Sequence, residues 1–174
     1  MRKWAVYILL AVCLSGCGQA NGNKQGDFSN DTVADVPAEA IGLKKQGNDF
    51  LDKGDYNAAM ECYIKAIEIY PKYDTAYYNL GLVKSKLGDN DGAIFDYTEA
   101  IKINSKFIDA YYNRGLVKSI LKDNKGAIAD YTEEIKINPK FAMVYYNRGK
   151  VKSDLGDNQG AINDYTKAIK INPK

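Results

Sequence analysis

The sequence predicts an all-α solenoid of four antiparallel helix pairs. Three observations predict it: a glycine that recurs every 34 residues, a tyrosine with the same step, and apolar residues at helical spacing between them. The glycines are Gly47, Gly81, Gly115 and Gly149, and the tyrosines are Tyr63, Tyr97, Tyr131 and Tyr165. A fixed period of this length is typical of stacked repeats, because each unit buries its apolar face against the next.

This period resembles that of the tetratricopeptide repeat family, whose unit is a pair of helices. The alanines that keep the same step are Ala59, Ala93, Ala127 and Ala161. In that family, such small residues lie where helices cross closely. The resemblance implies a right-handed superhelical solenoid with repeats at 40–73, 74–107, 108–141 and 142–174. The family's large eleventh residue is kept as Phe50, but becomes Lys84, Lys118 and Lys152 in the later repeats.

Residues 1–16 predict a secretory signal peptide, because a short basic start precedes an apolar run at 4–14 that is too short to span a bilayer. The motif at 14–17, Leu-Ser-Gly-Cys, resembles the bacterial lipobox. The resemblance implies cleavage before Cys17, lipidation of that cysteine, and a membrane partner reached through the lipid. An ordinary signal peptide with a chance cysteine is the alternative.

The lipobox resemblance also implies a location in the cell envelope. With Gly18 after the cysteine, it favours the outer membrane of a two-membrane bacterium; in a one-membrane bacterium it implies the outer face of the plasma membrane. Residues 17–37 are rich in Gly, Asn, Asp and Gln, and predict a flexible tether. Cys62 then remains as a thiol in an apolar stretch, and we interpret it as a packed residue rather than a redox site.

The helices follow from local patterns, which are clearest in the second repeat. Apolar residues at helical spacing predict a first helix with Tyr77, Leu80, Val83 and Leu87 on one face, and a second with Ile94, Tyr97 and Ile101. Gly88 opens the break between them, and Pro139 and Pro173 end second helices of other repeats. Lys122 replaces the turn glycine in the third repeat, so we expect a tightened or distorted turn there.

Two charged pairs are predicted within repeats. Arg114 and Asp130 face each other across the helices of the third repeat, and Arg148 and Asp164 do so in the fourth. We interpret both as structural ion pairs, each worth under about 1 kcal/mol if exposed.

The composition excludes several classes of function. The chain has no histidine, which removes the commonest general base and the commonest metal ligand. Its formal charge of +2 falls to about zero without the basic residues at 2 and 3, so nucleic acid is not an expected partner. No phosphate loop, metal-ligand spacing or nucleophile–base set is present in the sequence. We therefore expect no enzyme activity, no metal and no cofactor.

The resemblance places a binding groove on the concave side, which the first helices line. Its fifth and sixth repeat positions give Tyr78, Asn79, Tyr112, Asn113, Tyr146 and Asn147, preceded in the first repeat by lysines. A column of asparagine amides can pair with the backbone of an extended peptide. This is similar to the asparagine ladder of the O-linked N-acetylglucosamine transferase repeats. The alternative is that near-identical repeats copy every residue, useful or not.

A second mode in the family is the carboxylate clamp for chaperone C-termini. Lys44, Asn48 and Asn79 match its first three positions. Asp109 and Asn113 stand where the clamp needs a lysine and an arginine, and an aspartate would repel a carboxylate. The sequence therefore disfavours this mode.

The last predicted helix carries an apolar face at Ile162, Tyr165 and Ile169. Solenoids normally cover such a face with a polar cap, so a further copy of the chain, another protein or further chain would have to cover it. Two functions follow. The first is a membrane-anchored adaptor or scaffold that binds a peptide or helix of another envelope protein in its groove. The second is a self-associating structural protein that forms a homo-oligomer through this face.

Overall fold

The computed structural model describes residues 36–173, and these form eight α-helices without a β-strand. The helices are α1 (Ala38–Asp52), α2 (Tyr56–Ile69), α3 (Asp74–Lys86), α4 (Asn90–Ile103), α5 (Ile108–Ile120), α6 (Asn124–Ile137), α7 (Ala142–Asp154) and α8 (Asn158–Ile171). They form four successive helix pairs, so the predicted all-α solenoid of four pairs is confirmed.

An aspartate caps the start of the second helix of every pair. The side chains of Asp55, Asp89, Asp123 and Asp157 each accept a hydrogen bond from the backbone N–H three residues later, at 2.9 to 3.1 Å. Such a cap satisfies a backbone donor that has no partner inside the helix, and favours the negative charge at the positive end of the helix dipole. The start of each second helix is thus encoded by one residue.

The turns between paired helices need a left-handed residue. Gly54, Gly88 and Gly156 have φ values of 77°, 84° and 81°. Lys122 takes the same conformation, with φ at 64°, and the backbone bond that closes its turn has the same 2.9 Å length as in the second repeat. The bonds from the Asn90 and Asn158 amides to the Gly88 and Gly156 carbonyls have no counterpart at Lys122 among the described bonds, so this turn differs slightly from those of the second and fourth repeats. The lysine adopts the glycine conformation, which is costly for a residue with a Cβ atom.

The periodic glycines and tyrosines pack against each other inside each repeat. A Cβ atom added to Gly47, Gly81, Gly115 or Gly149 would lie only 2.6 to 2.9 Å from a ring carbon of the tyrosine sixteen residues later. Tyr63, Tyr97 and Tyr131 are fully or almost fully buried. The glycine thus makes room for the ring, and this explains why the two residues share one period.

The first helices of the pairs lie side by side. Besides the contacts between consecutive helices, the described residues show contacts of α1 with α3, α3 with α5, and α5 with α7, but none among the second helices. The first helices are therefore closer together than the second helices, so their side of the stack is concave. We call this concave face the groove.

The packed part begins before α1. Val36 is only 9% exposed and packs with Ala40 and Tyr73, although the sequence placed it in the tether. The predicted signal peptide at 1–16, Cys17 and the part of the predicted tether up to residue 35 lie outside the described residues. Among the helices of residues 36–173, none has the length and apolar character needed to cross a membrane.

Candidate functional site

The predicted groove residues lie on α3, α5 and α7. The amide of Asn113 donates to the Tyr78 hydroxyl at 3.0 Å, and Asn147 donates in the same way to Tyr112 at 3.0 Å. Each bond joins the first helices of neighbouring repeats. Because the nitrogens donate backwards along the array, the two amide oxygens remain as hydrogen-bond acceptors, and no described donor bonds to them.

The first junction is built differently, since Lys44 stands where later repeats have a tyrosine. Here Asn79 donates to the Asn48 amide oxygen at 2.9 Å, and that oxygen also accepts from the Tyr63 hydroxyl at 2.8 Å. The Lys44 ammonium lies 5.7 Å from the centre of the Tyr73 ring. The Asn48 oxygen is thus already engaged, and the three asparagines 79, 113 and 147 point the same way.

The groove tyrosines are anchored by other rings. The Tyr78 ring lies 4.9 Å from that of Phe107, and the Tyr112 ring lies 5.5 Å from that of Phe141. Burial raises the pKa of both tyrosine hydroxyls, although the bonds from Asn113 and Asn147 oppose the rise. Tyr146 is 51% exposed. Tyr78 and Tyr112 are therefore rigid parts of the repeat junctions, whereas Tyr146 offers open ring surface.

Both predicted ion pairs are confirmed, but they are buried rather than exposed. Arg114 makes two bonds to the Asp130 carboxylate, at 2.6 and 2.9 Å, and Arg148 does the same with Asp164 at 2.7 and 2.9 Å. The aspartate side chains are only 4% and 6% exposed. Paired bonds of this kind fix the angle between the two helices.

The lysines that depart from the family pattern complete these clusters. Lys84, Lys118 and Lys152 lie 2.7, 2.9 and 2.8 Å from the carboxylates of Asp96, Asp130 and Asp164. The first repeat has Phe50 and Cys62 at the corresponding positions, and Cys62 is buried. An apolar pair has thus been exchanged for a charged pair. The sequence held this signal, because both members change together.

The number of neighbouring cations distinguishes the pKa of Asp96 from that of Asp164. Burial raises the pKa of Asp96, and Lys84 alone only partly offsets that effect. Burial acts in the same direction on Asp164, but Arg148 and Lys152 together hold its pKa below the ordinary value. The second repeat has Leu80 where the fourth has Arg148.

Glu134 was not predicted as a site residue. Its side chain is 0% exposed, and neither carboxyl oxygen has a hydrogen-bond partner. Burial raises its pKa to about 8, and the nearby Asp109 carboxylate adds to the rise. The sequence does mark Glu134 as unusual, since the matching residues are alanine in the other repeats: Ala66, Ala100 and Ala168.

The last helix exposes the face named by the sequence. Ile162 and Ile169 are 57% and 63% exposed, whereas their third-repeat counterparts Ile128 and Ile135 are half-buried by α7. Tyr165 is half-buried and packs 5.7 Å from the Tyr146 ring. Ile162 and Ile169 therefore form an exposed apolar surface, and Tyr165 contributes only the part of its side chain that is not covered by α7.

Comparison with known proteins agrees with this architecture. Models of the TPR repeat match residues 47–88 and 85–118, and models of the tetratricopeptide repeat match 108–141 and 142–174. The chain belongs to the tetratricopeptide repeat family. Within residues 36–173 of this repeat protein, no group of three or more Cys, Asp or Glu side chains is placed to hold a metal ion.

Individual relatives cover the repeats to different extents. The repeat chain is similar to MamA, with a TM-score of 0.75, 30% identity, and 79% and 80% of the two chains covered. The first repeat domain of Spaghetti (RPAP3), bound to the HSP90 peptide SRMEEVD, gives a TM-score of 0.66 at 24% identity, covering 68% of this chain and 94% of that one.

A human relative matches a shorter stretch. The small glutamine-rich tetratricopeptide repeat-containing protein beta is 39% identical over 61 residues, which is 35% of this chain. This chain spans only about a fifth of that protein, since 20% of its length is covered.

Proposed function

We propose that this chain is an adaptor that binds a peptide or helix of another protein in its groove. The observation that carries the proposal is the alignment of Asn79, Asn113 and Asn147, whose amide nitrogens all donate within the array. The orientation presents amide oxygens at successive repeats, ready to accept from the backbone N–H groups of an extended peptide. A peptide is bound by the RPAP3 repeat domain, which shares the fold.

The test is a triple substitution of Asn79, Asn113 and Asn147 by alanine. We expect peptides that bind the wild-type chain to bind this variant at least tenfold more weakly, while the circular dichroism spectrum of the variant keeps its helical signal. The matched control replaces Asn90, Asn124 and Asn158, which have the same spacing but begin the second helices. Equal losses in both variants, or no loss in either, would rule out the asparagine row as the binding element.

We also propose that the adaptor is a lipoprotein of the bacterial cell envelope, anchored through Cys17. The support is the order of basic start, apolar run and lipobox-like motif, followed by a tether before Val36. Metabolic labelling with an alkyne fatty acid should mark the wild-type chain and not Cys17→Ser. Cys62→Ser is the control and should label normally, because that thiol is buried. Labelling that persists in Cys17→Ser refutes the anchor.

Self-association is a second candidate, and one observation favours it. Arg114 and Arg148 each donate to the threonine of the preceding repeat, at 2.9 and 3.0 Å from Thr98 and Thr132. Thr166 is the next member of this series and is exposed beside the apolar face of α8. This face therefore repeats the features by which the array receives a following repeat, and a second copy of the chain is the proposed occupant.

Light scattering over a wide concentration range tests the second candidate. We expect the wild-type chain to form dimers or larger species, and the variant Ile162→Lys with Ile169→Lys to shift to lower mass. Ile120→Lys is the control, since Ile120 is equally exposed but lies on α5. A mass unchanged by the double substitution excludes α8 as the contact.

A further inference from the structure

The fold gives no reason for the carboxyl group of Glu134. It lies on α6 at a place where the other three repeats have a buried alanine, so the helix packing does not require a long side chain. The residue is 0% exposed, and neither of its oxygens has a hydrogen-bond partner. Burying an unpartnered carboxyl group is unfavourable. A residue that weakens the fold in this way is a candidate for a role in binding.

The carboxyl group of Glu134 is coupled electrostatically to two residues of the groove helix. Asp109 and Tyr112 are on the groove helix α5. The Asp109 carboxylate raises the pKa of Glu134, and Glu134 raises that of Tyr112. Helices α5 and α6 are the paired helices of the third repeat and contact each other. Asp109 is exposed, and no described donor bonds to its carboxylate. One acid is therefore exposed on the groove helix, and a second is buried near it on the paired helix α6.

The other charged and titratable groups near Glu134 do not pair with it or with Asp109. On its own helix, Tyr131 is neutral at physiological pH, and Lys136 pairs with Glu133 at 2.6 Å. From α7, the Tyr145 hydroxyl donates to the Pro139 carbonyl at 3.2 Å, and Arg148 is held by Thr132 and Asp164.

The cations of α5 are engaged as well. Arg114 and Lys118 both bind Asp130, at 2.6 and 2.9 Å. These cations on the described helices next to Glu134 are thus paired with other residues. None of them pairs with Asp109 or Glu134.

We propose that Asp109 and Glu134 form a receptor for one basic side chain, a lysine or arginine of the partner peptide that occupies the groove. The inference rests on the proposed function of the groove. The cation pairs first with exposed Asp109, over the face of the Tyr112 ring, which also attracts cations. Its positive charge then favours the ionised form of Glu134, and the proton of Glu134 is released to solvent.

This coupling gives the site a distinct pH response. Since the pKa of Glu134 is about 8 in the free protein, its carboxyl group is mostly protonated at neutral pH. Binding of a basic side chain therefore releases a proton, and affinity rises as the pH rises towards 8. Burial also raises the pKa of the Asp109 carboxyl group, so the variant Glu134→Gln is the comparison that assigns the rise to Glu134.

The experiment uses the full-length chain and peptides selected on it from a library of random twelve-residue sequences. We expect the selected peptides to share one basic position. Replacing that arginine by citrulline, which has the same shape without the charge, should weaken binding about tenfold. The same exchange should change binding less than twofold in the variant Asp109→Asn with Glu134→Ala. Glu133→Gln is the matched control and should keep the discrimination, with circular dichroism confirming that all variants fold.

Each result decides between the two proposals. Selected peptides that lose binding in the triple asparagine variant, but show no preference for a basic residue, refute the acidic receptor and leave the adaptor standing. If no peptide is selected, or binding ignores every groove variant, both fail. As a second measurement, affinity for the arginine peptide should rise at least threefold from pH 6.5 to 8.5 in the wild type and stay flat in Glu134→Gln. A flat wild-type profile refutes the role of Glu134.

Discussion

At the scale of single residues, near-identical repeats act as internal controls. Glu134 differs from Ala66, Ala100 and Ala168 at equivalent places, and Lys118 with Asp130 differs from Phe50 with Cys62. The same helix pair is thus built several times with one local change. The cost or benefit of a side chain can therefore be measured by copying the residue that another repeat already uses.

The first prediction is that Glu134→Ala stabilises the chain and removes part of its pH dependence. Between pH 4.5 and 8, folded Glu134 holds a proton that the unfolded chain releases, so its contribution to stability falls as the pH rises. We expect the wild type to lose on the order of 3 kcal/mol more than the variant from pH 5 to pH 8. Urea unfolding at the two pH values measures this, and parallel losses in both chains contradict it.

The second prediction compares two changes in the third-repeat ion cluster. Asp130→Ala leaves Arg114 and Lys118 without their carboxylate and should cost roughly 3–5 kcal/mol in the free energy of unfolding. Arg114→Leu recreates the natural set of the second repeat, Leu80 with Lys84 and Asp96, and should cost under about 2 kcal/mol. Denaturant unfolding of both variants gives the comparison. Similar losses in the two variants would mean that removing the carboxylate costs no more than removing one of its two cations, and would contradict the prediction.

At the scale of helices, the turn after each first helix contributes to the stability of the pair through the conformation of one residue. The third prediction is that Lys122→Gly stabilises the chain by about 1 kcal/mol, because a glycine takes positive φ without the clash of a Cβ atom. Gly88→Ala is the converse substitution and should destabilise the chain by a similar amount. An alanine Cβ atom at this position would meet no neighbouring atom, so the positive φ is the only source of the cost. Thermal unfolding measures both, and changes of the same sign would contradict the argument.

The helices and turns were predictable because each depends on residues close in sequence. Asp89 caps α4 through a bond three residues away, and the Gly81–Tyr97 fit recurs with the period. The bond of Asn113 to Tyr78 was not predicted, since 35 residues separate them and either could have faced a ligand instead. The orientation of Asn113 within the groove depends on how neighbouring repeats pack, which the sequence pattern does not specify.

At the scale of the whole array, each repeat is held by its neighbours. In the described residues, helices contact only the next one or two along the chain. Stability in such an array is a sum of repeat terms and junction terms, so the ends open more easily than the middle. The described fourth repeat has a junction on one side only.

The fourth prediction follows from this asymmetry. Backbone amides of α8 should exchange hydrogen at least tenfold faster than those of α4, whose outer face is covered by α5. Hydrogen exchange with mass spectrometry at low micromolar concentration measures the ratio. Protection of α8 that grows with concentration would indicate that a second copy covers it, whereas equal protection of α4 and α8 at every concentration contradicts the prediction.

The arginine–threonine bonds have a consequence for how such a chain can change its length. The junction between the second and third repeats uses Arg114 and Thr98, and the next junction uses Arg148 and Thr132 in the same geometry. If a duplicate of residues 108–141 were inserted after Phe141, its arginine could donate to Thr132 of the original repeat. Its threonine could then accept from Arg148 of the following repeat. Unequal recombination within the gene could thus add or remove a unit while keeping both junctions intact, and groove length could evolve in whole-repeat steps.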